Sequence, residues 1–309
     1  MSNKPTVVIA FGGNALIQKG QDGTAEQQLE NLKLPMKQIA KLAKDYNFVL
    51  THGNGPQVGN LLLQQESCDE VAKMPLEVIG AMTQGAIGYM IEATLDTALA
   101  EEGDDDRLLA TLVTYTVVDK DDPMFQNPTK PIGPFYTDEE AEGLPYTMKR
   151  TDKGMRRVVA SPKPVDIVEK KEIKKLLEND FIVICTGGGG IPVVQQGRGF
   201  AGVEAVIDKD LATSKLAQEL NADVMIICSD IRGASVNWGK EDEQLLRKVT
   251  LEEMSGHVAD GQFPAGSMGP KVDAIMEFVE ATGNRGVICH LEDIVKALAG
   301  EVGTEIVKA

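Results

Sequence analysis

The sequence predicts an α/β domain: a three-layer α/β/α sandwich around a mainly parallel open sheet, with a small subdomain protruding from it. Three observations carry that expectation. Apolar, strand-like runs alternate with amphipathic helical patterns along most of the 309 residues, the order that builds crossover units and buries a parallel sheet on both faces. Four glycine-rich turns follow or sit between those runs. One segment, residues 119–160, breaks the rhythm and is rich in Pro, Gly, Asp and Lys.

The strand-like runs fall at residues 6–11, 48–52, 108–118, 181–186, 223–228 and 286–290. Between them, helical spacing marks residues 28–44, where Leu32, Met36, Ile39 and Ala43 share a stripe, then 76–100, 165–178, 208–220 and 270–281. Pro35 falls inside the first pattern, where a proline kinks a helix or marks its true start. The insertion at 119–160 is too long for a plain connection. Disorder and a folded subdomain are the two ways to read it, and Phe125, Phe135, Tyr136 and Tyr146 supply packing material that favours the subdomain. No internal repeat or low-complexity tract is present.

Composition narrows the function. A chain of this length lies near the roughly 250–300 residues at which one core stops growing, so one large domain, residues 1–309, or two closely joined lobes fit. With 42% hydrophobic residues and no apolar run near the roughly 18–20 residues of a membrane span, no membrane partner is expected. Met1-Ser2-Asn3-Lys4-Pro5 leads straight into a strand-like run without the features of a secretory signal, so a cytoplasmic location is expected. A formal charge of −16 opposes approach to a polyanion, which argues against nucleic acid. The four cysteines form no C-x-x-C pair, and Cys185, Cys228 and Cys289 lie in apolar runs as small core residues.

The chemistry-bearing features are the turns Gly12-Gly13-Asn14, Gly53-Asn54-Gly55-Pro56-Gln57, Gly187-Gly188-Gly189-Gly190 and Gly266-Ser267-Met268-Gly269-Pro270-Lys271. Glycine lets backbone N–H groups close on a phosphate without a Cβ in the way, and a helix N-terminus adds free donors. Several such turns at the carboxyl ends of parallel strands make a ligand edge. The P-loop pattern is absent. Gly197-Arg198-Gly199-Phe200-Ala201-Gly202 matches the dinucleotide fingerprint but runs into Val203-Glu204-Ala205-Val206-Ile207 instead of a helix, so it reads as a hairpin or loop. Lys130, Lys209 and Lys271 each adjoin a turn or helix start, where an ammonium reaches a bound phosphate. Asn14 and Asn54 serve equally well as plain turn residues.

Gly12-Gly13-Asn14-Ala15, His52-Gly53-Asn54-Gly55-Pro56-Gln57-Val58-Gly59, Met82-Thr83-Gln84-Gly85, Asn127-Pro128-Thr129-Lys130-Pro131, Val206-Ile207-Asp208-Lys209-Asp210 and Gly266-Ser267-Met268-Gly269-Pro270-Lys271 together resemble the carbamate kinases, a branch of the amino-acid kinase family. The likeness spans nearly the whole chain, in order. Other kinases of that fold usually carry a lysine just before the first glycine pair, where this chain has Ala10-Phe11. In the carbamate kinases the lysine matching Lys130, on the protruding subdomain, is thought to supply that charge. The chain departs from the family pattern at Met155, usually tryptophan, and at Ala160, usually proline.

The resemblance implies the amino-acid kinase fold, with residues 1–165 as a carbamate-binding lobe carrying the 119–160 subdomain and residues 166–309 as a nucleotide-binding lobe. It implies reversible phosphoryl transfer between ATP and carbamate, giving ADP and carbamoyl phosphate, in the service of ATP synthesis in arginine or agmatine fermentation. Mg²⁺ comes on the nucleotide phosphates, with no dedicated protein metal ligand, and the enzyme is a homodimer. By the same resemblance Lys130, Lys209, Asp210 and Lys271 are catalytic. Gly12, Gly13, Asn14, Gly53 and Asn54 bind the acceptor, and Gly187, Gly188, Asp210, Met268 and Lys271 bind the nucleotide. The segment from Ser229 to Trp238 and the following Gly239-Lys240-Glu241 occupy the adenine side, although Trp238 fits a core position as well, and Lys215 is a weaker phosphate candidate. Another kinase of the fold, acting on an acyl group or a phosphate monoester, and a non-catalytic anion-binding regulator are the alternatives.

Overall fold

The structure is a computed structural model that describes residues 4–264 and 266–309, without the side chain of Asn14. In chain order the strands are β1 (Thr6–Phe11), β2 (Asn47–His52), β3 (Leu109–Thr111), β4 (Tyr115–Val118), β5 (Lys130–Tyr136), β6 (Met148–Thr151), β7 (Gly154–Val159), β8 (Pro164–Ile167), β9 (Ile182–Ile184), β10 (Ile191–Gln196), β11 (Gly199–Gly202), β12 (Val224–Ser229), β13 (Ser235–Val236), β14 (Gln244–Leu245), β15 (Lys248–Thr250), β16 (Arg285–His290) and β17 (Thr304–Val307). The helices are α1 (Ala25–Leu42), α2 (Gly55–Glu66), α3 (Leu76–Glu101), α4 (Asp138–Ala141), α5 (Lys170–Glu178), α6 (Lys209–Leu220), α7 (Leu251–Ala259), α8 (Met268–Thr282) and α9 (Ile294–Leu298).

The main sheet has eight strands in the order β15-β17-β16-β12-β1-β2-β9-β3. Its neighbours run parallel, apart from the antiparallel β16–β17 pair. Alternate residues of one strand therefore enter different layers. Val7, Ile9 and Phe11 pack with Leu32, Met36 and Ile39 of α1 and Ile87, Ile91 and Leu95 of α3, while Val8 and Ala10 pack with Leu216 of α6 and Val272, Ile275 and Phe278 of α8. Each large side chain so buried contributes about 1.5–3 kcal/mol, and this double burial is why the runs read as continuously apolar.

Local signals and distant partners move several boundaries away from the apolar pattern. A capping box between Thr24 and Gln27 starts α1 three residues earlier than the apolar spacing suggests, and the helix continues through Pro35 to Leu42. The proline therefore does not mark its start. The run at 108–118 is not one strand: β3 closes the edge of the main sheet, and β4 joins a second sheet of order β11-β10-β4-β8. Thr114 sits at the break, where Gln84 accepts from its N–H at 2.9 Å and donates to its carbonyl at 3.2 Å. The Thr114 carbonyl also accepts from the Ile191 N–H at 2.9 Å, so the buried amide and β10 together let the chain leave one sheet for another without orphaned backbone groups. The pattern at 165–178 likewise divides into β8 and α5. The dinucleotide-like segment is the β10–β11 hairpin, turning at Gly197-Arg198.

Within the insertion, β5, β7 and β6 form a separate three-stranded antiparallel sheet. Ile132 and Val159 dock it on Val58 and Leu62 of α2 and on Leu76 and Ile79 of α3. It rejoins the body where Val206 N–H donates to the Ala160 carbonyl at 3.0 Å, a bond that a proline at position 160 would also accept. Met155 lies in β7 opposite Tyr136 and Arg150.

Candidate functional site

The parallel register brings the carboxyl ends of β1, β2, β9, β12 and β16 to one edge, and three of the glycine turns close it. Gly12 approaches β12 so nearly that a Cβ would lie 3.3 Å from the Cys228 carbonyl oxygen. After β2, Gly53 lets the aliphatic stem of Lys209 pass over it, at 3.2 Å from where a Cβ would be. After β9 the chain takes left-handed conformations at Gly188, Gly189 and Gly190, with φ of 64, 92 and 83°, which only glycine adopts without cost. A Cβ on Gly188 would overlap the Asn54 amide, and one on Gly187 would overlap the His52 ring.

These turns wall a cavity of ≈ 430 Å³ into which Lys130, Arg156, Lys209 and Lys271 project from four different elements. Lys209 and Lys271 share one buried carboxylate: Asp210 Oδ1 is paired with Lys209, and Oδ2 accepts from Lys271 Nζ at 3.0 Å. Burial pushes the Asp210 carboxyl up, but the two ammonium groups outweigh it and hold the group below the usual carboxylate range. Asp208 caps α6 by accepting from the Asp210 N–H at 3.0 Å, and its other oxygen accepts from Lys130 Nζ at 3.2 Å. That ion pair closes the subdomain against the body. Arg156 lies over the Phe135 ring at 5.0 Å and donates through Nε to the Gly133 carbonyl at 3.1 Å.

His52 at the end of β2 is fully buried, and desolvation brings it down to about 4, against the hydrogen bond to the Gly53 carbonyl. It is a neutral imidazole whose Nδ1–H donates to that carbonyl, and its ring packs against Gly187. It is therefore structural.

The expected site residues are thus brought together with four qualifications. Gly13, Gly53, Asn54, Gly188, Lys130, Lys209, Asp210 and Lys271 line the cavity. Gly12 lines an adjoining cavity of ≈ 610 Å³, with Lys209 and Lys271 common to both. Gly187 is buried behind the wall instead of facing it. Asn14 belongs to the 3₁₀ turn Gly13–Ala15, and its side chain lies outside the described residues. Met268 lines a third cavity, ≈ 380 Å³, with Ser229, Asp230, Trp238 and Phe263. Trp238 is 56% exposed, so it is not a core residue. Lys215 faces away and pairs with Glu219 at 2.8 Å. Sequence reasoning missed Asp208, although it adjoins Lys209, and Arg156, and it gave no separate role to Thr83 of the Met82-Thr83-Gln84-Gly85 motif, whose hydroxyl accepts from Asn54 Nδ2 at 2.9 Å.

A profile of the amino acid kinase family matches residues 5–290. The chain is 50% identical to a carbamate kinase of Thermococcus kodakarensis, covering 98% of this chain and 99% of that one, and 48% identical to one of Pyrococcus furiosus, covering 97% and 98%. Among solved structures, a carbamate kinase from Giardia lamblia bound to AMP-PNP superposes with a TM-score of 0.95 at 45% identity, covering 100% of both chains.

Proposed function

This chain belongs to the amino acid kinase family, within it to the carbamate kinases, and on that premise we propose that it transfers a phosphoryl group reversibly between ATP and carbamate, giving ADP and carbamoyl phosphate. The observation that carries the proposal is the convergence of Lys130, Lys209 and Lys271 on one glycine-walled cavity. A carbamate oxygen is already anionic. It can attack the γ-phosphorus as the bond to the ADP oxygen breaks, and no proton has to be removed, in keeping with a cavity whose nearest histidine is buried and neutral.

The difficulty is the crowding of negative charge among nucleophile, transferring group and ADP, so the chain's task is alignment and neutralisation. Lys209 and Lys271 stabilise the transferring phosphoryl group, with Asp210 fixing their separation. Lys130 supplies charge from the subdomain, while Phe11, buried against α1 and α3, brings none at the place where the fold's other kinases usually carry a lysine. Gly13 offers an N–H donor, Gly53, whose own N–H is donated to the Phe11 carbonyl at 3.0 Å, makes room for the stem of Lys209, Asn54 binds the acceptor, and Gly188 leaves room for that amide. The cavity beside Trp238, Phe263 and Met268 receives the adenine. Mg²⁺ bound to the nucleotide would add positive charge to its phosphates. Such an ion keeps most of its waters, and Asp210, with both oxygens engaged by lysines, is not a spare ligand.

We place the enzyme in the cytoplasm, making ATP from carbamoyl phosphate in arginine or agmatine fermentation, and as a homodimer. Dimerisation is supported by the apolar surface that Met82 and Tyr89 of α3 and Leu108, beside the edge strand β3, leave exposed; sedimentation of an active monomer would exclude it. Among the described residues no helix is long and apolar enough to cross a membrane. The decisive assay is ATP formation from ADP, Mg²⁺ and carbamoyl phosphate. A folded protein that makes none, but phosphorylates another acid, keeps the fold and loses the substrate.

A further inference from the structure

Asn54 is held from two sides. Its Nδ2 donates to Thr83 Oγ1 at 2.9 Å, and the face of its amide lies on Gly188, where a Cβ would overlap it. Thr83 is 1% exposed, and its own hydroxyl proton is committed, donated to the Gly80 carbonyl at 2.7 Å. A hydroxyl has one proton and two lone pairs, so Oγ1 can only accept from Asn54. A reversed amide would set Oδ1 against those lone pairs, with no proton between them.

From this chain of bonds, Gly80 carbonyl to Thr83 hydroxyl to Asn54 amide, we infer that Thr83 is a positioning residue that fixes Asn54 as a donor, turning its second N–H toward anionic oxygen of the phosphoryl acceptor. The inference rests on the proposed reaction only for the identity of that anion. A carboxylate or phosphoryl oxygen is favoured there, and a ligand offering its own N–H or O–H is disfavoured. The polarity originates in the α3 backbone, so it is set before any ligand arrives, and donors fixed in advance are more effective than donors that must reorient.

Thr83→Val removes the hydroxyl at nearly constant shape, and Thr83→Ser keeps it. With the full chain, ADP, Mg²⁺ and carbamoyl phosphate, Thr83→Val should raise the KM for carbamoyl phosphate about tenfold while the KM for ADP stays within about twofold. Thr83→Ser should restore most of the difference, and in an Asn54→Ala background Thr83→Val should add nothing. Equal movement of both KM values, no movement of either, or identical behaviour of the Val and Ser variants overturns the inference and leaves Thr83 a packing residue. If the wild type makes no ATP, the proposed reaction falls, and calorimetric binding of inorganic phosphate decides the role of Thr83. Weaker binding by Thr83→Val than by Thr83→Ser supports it, and equal binding overturns it.

Discussion

The two halves of the candidate site are built by opposite means. The half on the main sheet is made of backbone turns and of the Asp210 carboxylate at the start of α6, 4% exposed and held between two lysines. The half on the β5-β7-β6 sheet reaches over the cavity with a lysine whose side chain is 45% exposed and which meets the body through one ion pair. Charges buried with their partners are coupled to folding, whereas an exposed pair contributes only about 0–1 kcal/mol. Perturbing the sheet half should therefore cost stability and activity together, while perturbing the subdomain half should cost activity alone.

The largest test is Asp210→Ala. Two lysines then face each other in a confined space without their shared anion, and stability should fall by about 3–5 kcal/mol, read as a shifted urea midpoint. An unshifted midpoint would mean that the lysines relax into water and that the two halves are not so different. Next is Lys130→Ala, which should slow ATP formation by about 10²–10³-fold with the thermal midpoint unchanged. A fall in melting temperature as large as that of Asp210→Ala would erase the distinction.

His52 gives the sheet half a pH signature. Its folded-state value is depressed from 6.5 to about 4, so between those values the unfolded chain binds a proton that the folded chain refuses. The stability it contributes is complete above pH 6.5 and is lost as pH falls toward 4, by up to about 3 kcal/mol at 1.36 kcal/mol per unit. His52→Gln should flatten that slope between pH 7 and 4.5 in denaturant titrations. An unchanged slope would assign it to other groups. The smallest effect belongs to the subdomain: Arg157, stacked on Tyr146 at 3.9 Å, pairs with exposed Glu204 at 2.7 Å. Glu204→Gln keeps an acceptor and should cost less than about 1 kcal/mol. Faster hydrogen exchange should appear in β5, β6 and β7 and not in β1 or β2.

The same contrast explains what could be read in advance. The glycine turns stood out because each follows a run apolar enough to be a buried parallel strand, so their common edge followed from the fold class. The break at Thr114 did not, since Leu108 to Val118 is uniformly β-prone and the partner that ends the strand, Gln84, comes from α3, 30 residues away. Gly187 and Gly188 are neighbours in a run of four, and only packing separates the one beneath His52 from the one against Asn54.

By itself the sequence determined the layers, the ligand edge and the three lysines, though not Arg156, because hydrophobic period, turn chemistry and charge are local properties. Only the tertiary structure decided which carboxylate each lysine meets, which glycine opens to the cavity, and which way the Asn54 amide points. Those depend on contacts between elements far apart in the chain, where a hydroxyl on α3 or a missing Cβ after β9 acts through distance and direction and leaves no pattern along the sequence.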